Sequence, residues 1–172
     1  MANTYIPIAT VTVGSGGAAS MDFTSIPNTY TDLLILVSAR SALVDATGTL
    51  AFTLNGSTSG YTNRNLYGDG SSAGSYSNNT TNKAWAGIIS GANATASTFG
   101  SALIYIPNYA GSNNKSVSAD AVSENNGTTA YARLTAGLWS NTSAITSIRL
   151  TPDTGTLWVQ YSTATLYGIK NS

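Results

Sequence analysis

The stretch Ile26 to Ser41, I-P-N-T-Y-T-D-L-L-I-L-V-S-A-R-S, contains the chain's longest run of large aliphatic residues, Leu33 to Val37. Five such residues, bounded by Asp32 on one side and by Ser38 and Arg40 on the other, are too few for a membrane span, which needs about 20, and they fit a buried strand. On a strand Leu33, Ile35, Val37 and Ala39 share one face while Leu34 and Leu36 take the other, so both faces are expected to be covered and the strand to be central. Pro27 fixes its own φ and removes a donor, making Ile26-Pro27-Asn28 a corner through which the strand cannot grow backwards.

Around this strand the composition reads as a sheet protein. The chain has 172 residues, which predicts one domain over 1–172, with 42% apolar content but only 8% charged residues against a usual ~25%. Ser, Thr, Asn, Gly and Tyr replace the missing charge. Seven basic and seven acidic residues, scattered singly, leave no electrostatic footprint for a nucleic-acid backbone or an anionic membrane, so neither partner is expected. Low charge also weakens the repulsion that keeps monomers apart. There is no cysteine, hence no disulfide framework or thiolate chemistry. The opening M-A-N-T-Y-I-P has neither a basic nor an apolar signal region, which predicts synthesis in a cytoplasm and leaves the Asn-x-Ser/Thr triplets without a secretory role.

Alternation places further strands. Thr4 to Val13 is a first strand with a phase slip at Ala9-Thr10, and Ala19, Met21 and Phe23 alternate inward on a second, joined to the first most simply as a hairpin. Leu50, Phe52 and Leu54 point inward on a strand ending at Asn55-Gly56, a strong tight-turn signal. Gly56 to Asn82 is expected to be a long excursion, with at most a short strand at Arg64 to Tyr67. Strands follow at Lys83 to Ser90, Ser101 to Ile106, Lys115 to Glu124 and, after Asn126-Gly127, Thr129 to Leu138. On that last strand Ala130, Ala132, Leu134, Ala136 and Leu138 make a small-residue face open to close approach, and Tyr131, Arg133, Thr135 and Trp139 decorate the other. Ile145 to Thr151, stopped by Pro152-Asp153-Thr154-Gly155, and a final strand beginning at Leu157, Val159 and Tyr161 complete the chain. No window shows helical periodicity. Eight to ten short strands predict an all-β, two-sheet antiparallel sandwich, jelly-roll-like and almost without helix.

Chemistry is constrained by what is missing. Without histidine and cysteine the commonest general base, metal ligand and thiolate nucleophile are gone, so neither enzymatic activity nor a cofactor is expected and no catalytic or metal site is assigned. The available carboxylates are Asp22, Asp32, Asp45, Asp69, Asp120, Glu124 and Asp153. Asp120 and Glu124 share a strand face about 13 Å apart, too far for a retaining glycosidase pair. Gly68-Asp69-Gly70-Ser71-Ser72 lacks the spaced acids of a calcium loop and reads as a glycine-rich turn. With three Trp, ten Tyr and three Phe, aromatic side chains in polar segments could stack on sugar rings; Tyr61, Tyr67, Tyr76 and Trp85 are the candidate glycan contacts. Tyr131 and Trp139, exposed beside small residues, are the candidate subunit-interface anchors.

The stretch Ile26 to Ser41, together with F-T-L-N-G at Phe52 to Gly56 and N-L-Y-G-D-G-S-S-A-G-S at Asn65 to Ser75, resembles a family of small tailed-bacteriophage virion proteins. So do I-Y-I-P-N-Y at Ile104 to Tyr109, L-W-S-N-T-S-A-I-T-S-I-R-L at Leu138 to Leu150 and the ending T-L-Y-G-I-K-N-S. The resemblance covers nearly the whole chain and implies no catalytic residues. It implies a structural role in a virion: a homotrimeric decoration, or cement, protein contacting the major capsid protein on the capsid's outer surface, by analogy with jelly-roll cement proteins. The alternative it leaves open is a tail-fibre or tail-tip module that binds host surface glycans.

Overall fold

The computed structural model describes residues 4–78, 81–127, 129–152 and 156–170. They form β1 (Tyr5–Thr12), β2 (Met21–Phe23), β3 (Asp32–Ala39), β4 (Thr47–Leu54), β5 (Tyr61–Gly68), β6 (Ala73–Asn78), β7 (Ala84–Ser90), β8 (Gly100–Ile106), β9 (Lys115–Ser123), β10 (Tyr131–Trp139), β11 (Ile148–Thr151) and β12 (Thr163–Ile169). Helix is absent from the described residues. One sheet has eight strands in the order β1-β12-β3-β8-β9-β10-β5-β6, the other four in the order β2-β11-β4-β7, and every ladder is antiparallel. Among consecutive strands only β5–β6, β8–β9 and β9–β10 pair with each other; elsewhere the chain leaves its neighbour, usually by changing sheet, the habit of a jelly roll.

β3 is central within its sheet, bonded to β12 and β8, and its inner residues Leu33, Ile35, Val37 and Ala39 are buried. Its other face is not covered as expected: Leu36 is 43% exposed and Leu34 half-buried. Eight strands face only four, so one side of the large sheet has no second layer among the described residues. The corner before β3 is tied to the corner after β8. The Asp32 carboxylate accepts bonds from Tyr105 Oη at 2.9 Å and Asn108 N at 2.8 Å, and the buried Tyr109 hydroxyl donates to the Pro27 carbonyl. The two Ile-Pro-Asn corners, similar in sequence, are therefore neighbours in space.

Several connections differ from the simplest reading of the sequence. β1 and β2 are not a hairpin: β1 pairs with β12 and β2 with β11, so the Gly14–Gly17 turn carries the chain from one sheet to the other, and Ala19 faces solvent. The β1 irregularity lies between Pro7 and Ala9, next to the expected phase slip. Asn55 and Gly56 do form a tight turn, at φ 51° and 67° with Ser57 N bonding Leu54 O at 2.9 Å, but again as a crossover. Asn55 then works at long range, its Oδ1 accepting from Thr146 N at 2.8 Å and Ser147 N at 3.1 Å and its Nδ2 donating to Ala144 O at 2.8 Å.

The stretch expected as an irregular excursion is a regular hairpin, β5–β6. Its turn is organised by Asp69, whose Oδ1 accepts from Ser71 N and Ser72 N at 2.9 and 2.7 Å; these N–H groups, with the two serine hydroxyls, hold its carboxyl well below the usual range. The last strand starts later than expected. Leu157 to Tyr161 is a connecting segment in which Trp158 is fully buried, bridging Ala18 and Ser41, while Leu157 and Tyr161 point outward. Residues 153–155 of the expected turn lie outside the described residues. Nearby, buried Arg40 spends its guanidinium on the carbonyls of Ala92, Ala94, Thr95 and Thr98 at 2.9 to 3.0 Å, fixing the loop between β7 and β8.

The parity of β3 gives a direct test by urea denaturation. Ile35→Ala is expected to cost about 3 kcal/mol by leaving a core cavity, and Leu36→Ala less than about 1 kcal/mol, because Leu36 faces solvent. Measured on the dissociated chain, equal losses would contradict the exposure of Leu36.

Candidate functional site

Two features stand apart from the core. The first is the open face of the eight-stranded sheet. The ladders align Thr165, Leu36, Leu103, Asp120, Leu134, Leu66 and Ser75 in one row running across the strands, with Ser38, Ser101, Val122, Ala132, Gly68 and Ala73 in the next. Leu66 is 57% exposed, Leu134 53% and Val122 46%, giving an apolar strip with Asp120 at its middle. Shallow grooves of about 470 and 430 Å³ lie on either side of Asp120, one floored by Leu66, Val122 and Leu134 and the other by Leu36 and Leu103. A hollow of about 420 Å³ over the small sheet is lined by Asp22 and Arg149, which satisfy each other at 2.6 Å.

The second feature lies on the inner face, where β5 and β6 extend past the small sheet. β7, the edge strand of the small sheet, packs across β8, β9 and β10 and only grazes β5. Side chains must fill what the sheet leaves open. Arg133 of β10 projects inward at 9% exposure, with its guanidinium carbon 5.9 Å from the Tyr67 ring centre and 5.4 Å from that of Tyr76. Tyr67 meets Tyr76 edge-on at 6.1 Å and Tyr131 at 6.2 Å, so three tyrosines surround the cation. Tyr67 can lie over β6 because its ladder partner is Gly74, where a Cβ would come within 2.7 Å of the Tyr67 hydroxyl. Burial pushes the Arg133 pKa down, opposed by the hydroxyls of Tyr76, Tyr131 and Tyr67. Arg149–Asp22 is the one ion pair among the described residues, so Arg133 has no carboxylate partner there.

Next to Arg133 the ladder places Asn65 opposite Thr135 and Asn63 opposite Gly137. Asn65 Oδ1 accepts the Thr135 hydroxyl at 2.9 Å, and Asn63 Oδ1 accepts the Trp85 backbone N–H at 3.1 Å. Their amide nitrogens are buried without a partner, as are Trp85 Nε1 and Arg133 Nε. These four are the buried side-chain polar atoms left unpaired among the described residues, and all four are donors. Leaving one such donor unmet costs about 1 to 3 kcal/mol, so four together rival a large part of the roughly 5 to 15 kcal/mol that holds a domain folded. Three of them, Arg133 Nε and the Asn65 and Asn63 amide nitrogens, share one inner stretch of β5 and β10 and call for an acceptor.

The structure rearranges the residues singled out in the sequence. Trp139 is 2% exposed and stacks on Tyr61 at 6.1 Å and 15°; Tyr131 is half-buried against Tyr67. Neither projects as an interface anchor, because on β10 the outward residues are Ala132, Leu134, Ala136 and Leu138, and the long ones turn inward to fill the space beyond the small sheet. Of the glycan candidates, Tyr61 is fully buried with its hydroxyl accepting Leu54 N at 2.8 Å, whereas Tyr67 and Tyr76 come together; the Trp85 backbone N–H reaches Asn63, but its side chain shares the register row of Ala51, on the face opposite Phe52 and Ala84. Arg133, Asn63 and Asn65 were not singled out beforehand; the signal was the shared parity of Asn63 and Asn65 with Tyr61 and Tyr67. Asp22, Asp32, Asp45, Asp69 and Glu124 are engaged in local hydrogen bonds. Asp120 lies on the open face, and Asp153 is outside the described residues.

No family model, no curated protein and no solved structure matches the chain.

Burial raises the pKa values of Tyr61, Tyr105 and Tyr109, with the Asp32 carboxylate adding to the rise at Tyr105. A tyrosine kept protonated by the fold binds more protons in the native than in the unfolded state, so stability is full below the ordinary value of about 10 and falls as pH rises past it. A spectrophotometric tyrosine titration is expected to show a late class ionising together with alkaline unfolding. Ionisation of every tyrosine at the ordinary value, with no loss of fold, would contradict the burial.

Proposed function

We propose that the chain is a non-enzymatic structural protein of a tailed-phage virion, which decorates the outer surface of the capsid as a homotrimer and stabilises the shell by contact with the major capsid protein. One observation carries this reading: the open face of the eight-stranded sheet, a broad strip of half-exposed leucines and valine with small residues between them. Such a strip on a protein with so little surface charge suits burial against another subunit, since few charges must be stripped of water. Completing the burial of each half-exposed leucine contributes about 1 kcal/mol. The sequence resemblance supports the virion, and the lack of histidine and cysteine supports a structural rather than a catalytic role.

On this reading the interface anchors are Leu66, Val122 and Leu134, which are exposed, rather than Tyr131 and Trp139. Light scattering of the purified protein is expected to show a trimer at micromolar concentration, and Leu134→Asp to shift it to monomer without loss of strand content. Truncating buried Trp139 is expected to cost about 3 to 5 kcal/mol of folding stability instead. A monodisperse wild-type monomer overturns the trimer. On stained gels of purified particles the protein should be present in numbers comparable to the major capsid protein; density confined to the tail overturns the capsid assignment.

A further inference from the structure

We infer that the donor row of β5 and β10, capped by Tyr76, is a binding site for a carboxylate-bearing sugar, a uronic acid unit of an acidic glycan. This goes beyond the structural role proposed above and does not depend on how the chain attaches to a particle. Three independent observations converge on it. Arg133 is a nearly buried guanidinium without a carboxylate partner among the described residues, and the flat fork it presents matches a carboxylate. The unpaired donors continue from Arg133 Nε to the amide nitrogens of Asn65 and Asn63 on the inner face of β5, so an occupant must be rich in acceptors along its length. Successive asparagines on this face are about 7 Å apart along the strand, the scale of one sugar unit and its ring hydroxyls.

Aromatic rings select a sugar over a bare anion. Tyr76 lies in register beside Asn65 on the edge strand β6 and is 37% exposed, the least enclosed member of the cluster. Being on an edge, its ring can turn outward without disturbing the ladder, uncovering the guanidinium and offering its face to a pyranose ring. Tyr67 cannot move in this way, because it is packed over Gly74 and against Tyr131. Carboxylate on Arg133, ring on Tyr76 and hydroxyl oxygens on the asparagine amides together satisfy the unmet donors of β5 and β10.

The test uses the full chain, labelled with nitrogen-15, and oligogalacturonate as probe. Titration is expected to move the Arg133 Nε–H and Asn65 side-chain amide resonances with a Kd of about 1 mM or tighter, and neutral oligogalactose of equal length to bind about tenfold more weakly or worse. Arg133→Lys, which keeps the charge but loses the fork, and Tyr76→Ser, at the exposed edge, should each weaken binding about tenfold, with thermal unfolding showing that both variants remain folded. If Arg133→Lys fails to fold, Tyr76→Ser and the wild-type resonances carry the test. Equal shifts from the neutral sugar, or equal binding by oligoglutamate, would overturn the assignment to an acidic sugar. So would a crystal structure in which ordered waters satisfy all three donors of β5 and β10 while oligogalacturonate leaves both resonances unmoved.

Discussion

The unequal width of the two sheets is the constraint from which the rest of this structure follows. Eight strands at ordinary spacing span about 34 Å and four span about 14 Å, so the small sheet covers less than half of the inner face it packs against. Near β3, β8 and β9 the cover is complete, and there the residues are aliphatic or small: Leu33, Ile35, Ile104, Ala119 and Ala121. Beyond it, larger groups must close the sandwich. At the β1 end Trp158 is inserted from the segment before β12, with its indole N–H on the Leu150 carbonyl at 3.3 Å. At the β6 end the filling is Arg133 and its tyrosines, which bring polar atoms into a space that no backbone partner reaches.

The two ends therefore differ in kind. Trp158 is satisfied, as is Arg40 in the same region, whose guanidinium is surrounded by four carbonyls. Lys115, fully buried at the edge of β9, donates to the carbonyls of Gly111 and Asn113, and its pKa is lowered by burial. A protein that meets the needs of these groups so fully makes the unmet donors beside Arg133 stand out. Buried polar atoms are normally paired, and three neighbouring exceptions on β5 and β10, all donors, mark a place where a water, an ion or a ligand belongs.

The open outer face follows from the same geometry. A strand such as β3, apolar on both parities, is expected to sit between two layers. Here only one layer is present among the described residues, and on the second parity Leu36 is aligned by register with Leu103, Leu134 and Leu66 into a surface strip, while half-buried Leu34 lies between Tyr105 and Tyr167. The expectation of cover on both faces thus failed for the chain alone and reappears as a feature of the proposed assembly.

What the sequence determined by itself was local: that the chain is all strand, where most strands run, that Asn55-Gly56 turns sharply, and that Leu50, Phe52 and Leu54 of β4 face inward, because alternation and turn chemistry act over a few residues. Sheet membership and the orientation of β10 were decided only by tertiary structure. Ala132 and Leu134 were as fit for a core as Arg133 and Thr135 until the width of the opposing sheet required long side chains there. The hairpin β5–β6 was hidden in polar sequence because its inward residues, Asn63, Asn65 and Tyr67, face a polar space rather than the aliphatic core. The donor row was illegible for a deeper reason. An unpaired nitrogen is defined by what fails to come near it, and that depends on residues from β5 and β10, such as Asn65 and Thr135, 70 positions apart in the chain, being placed together by the fold.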